Sequence, residues 1–440
     1  MTTRLICALL LPAIFAGCAT PTWHGHPRPT AHAVELALSN SDTKAQIWDL
    51  DVNSLPEFDV PQKVRPCCAF GNEQKVEIGF VPIPLFRLGN SVSFSEIGPH
   101  RFDAGSFPNT VKGASANGLS GGENNGIIYT LRGGFIDLAH VRDTADDTVA
   151  LFFIIIHHLG QPHTIELPSE IGPRYIQMKA FDTSGLSAKQ RWYLAAELAA
   201  RLAYFKAESH EIAQWHGYTS FAGWPEEISG YSPEDLYSNM LGAKLSLALI
   251  HSKLVLNDQL YNQSMTVWLS EFIQWLEPVS KQQTNTMFSI VDGYWWDSCK
   301  PIPDKFMVLM RHFRMGDEQH PYRVPESLAR SNSEWPTVSA LYEHMPSAHT
   351  LSLPSQLYGF PLNQLATLNM DISPTFQPRF AHIPDILWRS GFDQSQFSEI
   401  ALWDHKEDEL QLAALSNSEQ CVQIEQKPDK TLIIHPRRKH

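Results

Sequence analysis

The stretch "GGFIDLAHVRDTADDTVALFFIIIHHLG", residues 133–160, constrains this chain more than any other part of it. Its second half is an almost unbroken apolar run that has to be buried in a globular protein. Its first half sets His140 among Asp137, Asp143, Asp146 and Asp147. Carboxylates that close to a buried segment are costly unless each finds a cation, a donor or a bound ion. Any fold must therefore bury the run and compensate the aspartates in one element. The pattern predicts a helix from about Ile136 to His158, with Gly160 just past its end. The run is too short to cross a membrane.

On such a helix Asp137, Thr144 and Asp147 fall within about 60° of His140. Asp137 and His140 at i, i+3 can point at one ion or one substrate atom. The plainer alternative is that the aspartates favour the helix N-terminus and His140 is a hydrogen-bonded core residue. The helix dipole, worth roughly 0.3–1 kcal/mol in the first turn, accounts for Asp137 but not for His140 and Asp147 further in. Asp137 and His140 are accordingly read as functional, and Asp147 joins them as a candidate metal ligand.

A second helix opens with a capping box, Ser187 and Gln190 in "SAKQ", and continues through "RWYLAAELAARLAYFKAESHEIAQW". One line of it carries Glu197, Arg201, Tyr204, Glu208, Glu211 and Trp215, a stripe that reads as solvated or as the wall of a cleft. A separate face of alanines includes His210. "ESHEIAQWH" is not H-E-x-x-H, and His210 and His216, at i, i+6, cannot clamp one ion from a regular helix. His210 is a fourth candidate ligand through contact with Glu211 or, across packed helices, with His140; Glu208 and Glu211 are the candidate bases. A third helix is predicted at "YSPEDLYSNMLG", with Ser232 as N-cap and Pro233 at the first position; Asp235, Ser238 and Asn239 are read as capping residues. A fourth follows over about 260–277.

These segments imply an α+β fold: a central block of about four helices over about 136–277, packed with short, mostly antiparallel strands. Strand-like runs include "KVEIGFVPIPLF", "GIIYTL", "HTIEL", "RYIQMKAF" and "KFMVLMRHF". No linker interrupts residues 46–440, which read as a single domain.

Residues 1–17 read as a signal peptide, and "FAGC" resembles a lipobox with Cys18 as the lipidated residue. Residues 18–45 then form a flexible tether, and Ala19 after the cysteine favours the outer membrane, facing the periplasm. The expected partner is thus a membrane, reached through a lipid anchor. Export implies an oxidising compartment, where Cys67 or Cys68 would pair with Cys299 or Cys421. The alternative, a cysteine nucleophile in "RPCCAFG", lacks a local base. A net charge of -13, from 34 basic against 47 acidic residues, argues against a nucleic-acid partner.

The blocks "RPCCAFG", "NGIIYTLRGGFIDLAHVRD", "SHEIAQWHGY", "SPEDLYSNMLG" and "DGYWWDSCKPIPDKF" together resemble the DUF4056 family, a bacterial domain of unknown function. The resemblance implies an exported bacterial protein and no particular reaction. Two functional readings stand. One is an envelope hydrolase in which the Asp and His residues hold a divalent ion, zinc as the first choice, acting on peptidoglycan, peptide or lipid. The other is a non-catalytic binding or scaffold lipoprotein whose helical polar stripe is an interaction surface for an envelope substrate or a protein partner.

Overall fold

The computed structural model describes residues 28–39, 51–65, 69–78, 81–103, 122–220, 226–331, 335–415, 422–426 and 432–436. The proposed signal peptide, Cys18, Cys67, Cys68 and Cys421 lie outside the described residues. Cys299 is disulfide-bonded. The main helices are α1 (Ala31–Leu38), α2 (Leu138–His158), α3 (Ala188–Trp215), α4 (Asp235–His251), α5 (Asp258–Trp275), α6 (Lys281–Ile290) and α7 (Phe397–Ala414). The principal strands are β1 (Gln74–Ile78), β2 (Val81–Leu88), β3 (Ile127–Thr130), β4 (Gly134–Asp137), β5 (His163–Leu167), β6 (Arg174–Met178), β7 (Ala366–Met370) and β8 (Phe392–Asp393). The fold is α+β, as expected.

Helix α2 lies at the centre and packs against α3 and α4. Its run from Val149 to Ile156 is buried except for half-buried Ile154, and supplies the middle of the main core. Helices α2 and α4 approach closely because residue 242 is glycine. A Cβ there would run into the Val141 carbonyl. Beyond this crossing, Ser246 donates to the Ala145 carbonyl at 2.9 Å. The capping box of α3 forms as predicted: Ser187 Oγ accepts from Gln190 N–H at 3.2 Å, and Gln190 Oε1 accepts from Ser187 N–H at 2.9 Å.

Strands β8–β7–β6–β5 form an antiparallel sheet in that order, and β7 faces α3. Ile165, Ile176 and Leu368 lie side by side across three of its strands, all buried. A separate hairpin, β3–β4, pairs Ile128 with Ile136 in the core. Gly134 begins β4 at φ 67°, and a Cβ there would strike the Tyr322 carbonyl. Strand β4 runs into α2 without a loop, so Asp137 is both the last strand residue and the helix N-cap.

Several expectations need correction. Part of the expected flexible tether, residues 28–39, is ordered: Thr30 caps α1 by accepting from Ala33 N–H at 3.1 Å, and Val34 and Leu38, one turn apart, are buried in the main core. Helix α4 begins at Asp235, with Glu234 rather than Ser232 at the cap. The Ser232 carbonyl accepts from Asp235 N–H at 3.3 Å in a single turn, and the helical ladder starts with Ser238 N–H on the Glu234 carbonyl at 3.0 Å. "KFMVLMRHF" forms a 3₁₀ turn over Lys305–Met307 followed by a single bridge from Val308 to Trp296, not a strand. The polar stripe of α3 is not solvated: Arg201, Tyr204, Glu208, Glu211 and Trp215 are buried. Other parts of the chain cover that face too, and Arg201 reaches Asp317 at 2.7 Å.

Candidate metal centre

The three aspartates of α2 and the one at its N-cap go to three different places. Asp143 and Asp146 serve the buried guanidinium of Arg65, at 2.7 and 2.9 Å from its Nη1. Glu123 completes that network at 2.7 Å from Arg65 Nε, and Tyr261 and His100 bind Asp146 Oδ1 at 2.7 and 2.9 Å. Asp147 pairs with Lys206 of α3 at 2.6 Å. Among the described residues Asp137 has no lysine or arginine partner.

Asp137 is compensated by backbone and by company. Its Oδ1 caps α2, accepting from Ala139 N–H at 2.6 Å and His140 N–H at 3.3 Å. Its own N–H donates to Ser238 Oγ at 2.9 Å, and that hydroxyl donates to the Glu234 carbonyl at 2.7 Å. The hairpin end, the start of α2 and the start of α4 are thereby tied into one corner. Asp137 Oδ2 is buried with no hydrogen-bond partner. One turn into α2, His140 Nε2 lies 3.1 Å from Asp235 Oδ1 at the start of α4. Donor atoms of Asp137, His140 and Asp235 all lie within 4.8 Å of one another.

Two more carboxyls feel the same corner. Glu234, beside Asp235, is buried with neither carboxyl oxygen hydrogen-bonded. Glu211, near the end of α3, accepts from Tyr231 N–H at 2.8 Å through Oε2, while Oε1 is buried without a partner. Four carboxyls and one imidazole thus share a buried space, with Asp137 and Glu211 at 0% exposure and His140 at 6%.

Their proton affinities follow from this burial. Desolvation pushes Asp137 up to about 7; His140 opposes the shift and Asp235 adds to it. Desolvation, reinforced by Asp235, pushes Glu211 up to about 8, against His140 and His210. Glu234 is raised well above the carboxylate range by burial and then by Asp235 and Asp137. Without a cation the corner holds protons near neutral pH. A divalent ion could take their place, binding as protons leave. One imidazole and several carboxylates form a donor set suited to Zn²⁺ or Mn²⁺.

Of the candidates from sequence, the structure brings together Asp137, His140 and Glu211. It separates the other three. Asp147 shares a helix face with His140, but seven residues carry it about 10 Å along the axis, where Lys206 takes its charge. His210 turns its Nδ1 to Glu170 Oε1 at 2.7 Å, and Arg174 holds the same carboxylate at 2.7 Å. Glu208 accepts from Gly316 N–H at 2.7 Å, facing a different loop, and burial raises it to about 7. Asp235 and Glu234 were missed as site residues. Their signal was the doublet in "SPEDL": a helix start uses one capping side chain and leaves a second carboxylate to be explained. Asn239, also read as capping, accepts from the Thr144 hydroxyl at 2.7 Å and ties α4 to α2.

The model of the DUF4056 family, described as a protein of unknown function, matches residues 55–325. That is more than half of the 440 residues, and the chain belongs to this family. The matched region contains the whole corner at Asp137, His140, Glu211, Glu234 and Asp235. No curated protein and no solved structure matches the chain. Among the described residues no helix is long and apolar enough to cross a membrane.

Proposed function

We propose that this protein is an exported metal-dependent hydrolase of the bacterial envelope, anchored through Cys18, with its centre at Asp137, His140 and Asp235. The observation that supports this best is the convergence of those three donors beside carboxyl oxygens of Asp137, Glu211 and Glu234 that are buried without partners. Buried polar groups are almost always satisfied, and a cation satisfies several at once. A bound divalent ion would supply Lewis acidity and a more acidic water. Asp137 and Asp235 would hold it, with His140 as the nitrogen donor. Glu211 is positioned as the base. Tyr231 N–H fixes one of its oxygens, and the other is left to accept a proton from water.

The depth of the corner favours a second reading, a structural ion in a non-catalytic envelope lipoprotein, since Asp137 and Glu211 expose no surface. One series of measurements separates the two. Chelator-treated protein is titrated with Zn²⁺ by calorimetry, then assayed on ester and peptide substrates and on purified peptidoglycan. The hydrolase reading expects Asp235→Asn to lose tight Zn²⁺ binding at this corner, and Glu211→Gln to keep the metal while losing metal-dependent turnover. Metal binding without turnover on any substrate supports the structural ion. Unchanged Zn²⁺ binding in Asp235→Asn eliminates both.

A further inference from the structure

A second group of ligand-type side chains lies just past the C-terminal end of α3, five residues beyond Glu211, with ligands distinct from those of the corner just described. His216 is the C-cap residue of α3, His382 stands on a loop, and Asp404 belongs to α7. Both imidazoles turn Nε2 to the same carboxylate oxygen: Asp404 Oδ1 lies 3.0 Å from His216 and 2.9 Å from His382. The other oxygen, Oδ2, accepts from the Tyr231 hydroxyl at 2.7 Å, so the carboxylate cannot swing away without losing that bond. The three ligand atoms lie within 4.8 Å of one another.

The tautomer of His216 is the informative detail. Its Nδ1 is 3.2 Å from the Arg379 carbonyl, which only accepts, so Nδ1 carries the proton. Nε2 is buried and lies 3.0 Å from Asp404 Oδ1, and either a proton or a metal ion between the two holds them together. An imidazole held by Nδ1–H to a backbone carbonyl with Nε2 directed at a shared point is the usual support of a metal-ligating histidine. Phe380 stacks on the ring at 3.6 Å between centroids and keeps it in place.

The group borders a cavity through His216 and partly exposed His382, with Asp404 buried. A cavity of about 320 Å³ is lined by Trp215, His216, Lys305, Arg379, His382 and Glu407. The two cations on its wall are already engaged. Lys305 lies 3.5 Å from Asp408 and sits over the Trp215 ring at 3.9 Å, and Arg379 pairs with Glu227. Each of the two cations faces a carboxylate, and Asp408 is shared with Arg311 at 3.5 Å.

We propose that His216, His382 and Asp404 form a second divalent-metal site, selective for Zn²⁺ and similar borderline ions over Mg²⁺. Two imidazoles and one carboxylate leave a coordination position for water or a small anionic ligand from the cavity. The site shares no ligand with the centre at Asp137, and Tyr231 connects the two, donating its N–H to Glu211 and its hydroxyl to Asp404.

The test uses the purified full chain, stripped with chelator and titrated with Zn²⁺ alone, with Co²⁺ as a spectroscopic probe. His382 is partly exposed, so His382→Ala removes a ligand from the rim rather than the core, and His382→Gln serves as the conservative control. Expected are one fewer Zn²⁺ per chain in His382→Ala than in the parent, loss of one Co²⁺ absorption component, and an unchanged helical circular dichroism spectrum. The same decrement in an Asp235→Asn background shows that the site stands apart from the first. Equal Zn²⁺ stoichiometry in the parent, His382→Ala and Asp404→Asn overturns the proposal. So does an imidazole nitrogen resonance of His216 Nε2 that does not move on saturation with Zn²⁺, which would leave His216 and Asp404 as an ordinary ion pair.

Discussion

Asp137→Asn separates the two jobs that one side chain performs. The amide oxygen of Asn can accept the N–H groups of Ala139 and His140 as Oδ1 does now, and Asn ranks with Asp as an N-cap. The cap is therefore kept while the titrating group is removed. In the folded protein Asp137 is raised from 3.8 to about 7. A raised acid binds its proton more tightly folded than unfolded, so stability from this group is present below pH ~4 and is lost as pH rises to ~7. About three pK units at 1.36 kcal/mol each amount to about 4 kcal/mol. Chelator-treated wild type should lose that much between about pH 4 and about pH 8 from this group. Asp137→Asn should not, and should be the more stable protein at alkaline pH despite losing a candidate ligand. Guanidinium unfolding across this pH range, with chelator and then with excess Zn²⁺, measures both effects. Zn²⁺ should raise the stability of wild type increasingly with pH and raise Asp137→Asn much less. Parallel pH profiles for the two metal-free proteins would refute the reasoning, because Asp137 would then not be titrating in a desolvated cluster.

Three other outcomes follow from particular contacts. Lys206→Met strips Asp147 of its partner at 2.6 Å and should cost about 3–5 kcal/mol at neutral pH, less in acid where Asp147 takes up a proton; denaturant midpoints at two pH values check this. Gly242→Ala places a Cβ against the Val141 carbonyl and should cost about 1–3 kcal/mol through separation of α2 and α4, read as a lowered melting temperature. Cys18→Ala should abolish incorporation of labelled fatty acid and leave the protein unprocessed or soluble; label on the variant removes the anchor from the proposal.

Much of the fold was legible because it rests on local chemistry. The apolar run fixed α2 to within two residues at its start, and the Ser187–Gln190 box fixed the start of α3. Alternating strands such as β5 and β6 announced themselves by period. What failed did so where partners come from elsewhere in the chain. The Glu197–Trp215 stripe is polar, and polarity alone reads as solvent. Here Arg201 meets Asp317, Glu208 meets Gly316 and Glu211 meets Tyr231, each more than twelve residues away.

The candidate site divides along the same line. By itself the sequence determined that Asp137 and His140 sit one turn apart at the head of a buried helix, because helical spacing and the N-cap preference are properties of neighbouring residues. It could not say which aspartates would find cations, since Asp143, Asp146 and Asp147 are chemically alike until Arg65 and Lys206 arrive beside them. Nor could it join Asp235 to His140, or carry His382 and Asp404 to His216, separations of 95 residues and more. Those meetings belong to tertiary structure: they depend on how helices cross and where loops return. It is the loss of water on packing that turns ordinary carboxylates into the proton-holding corner at Asp137.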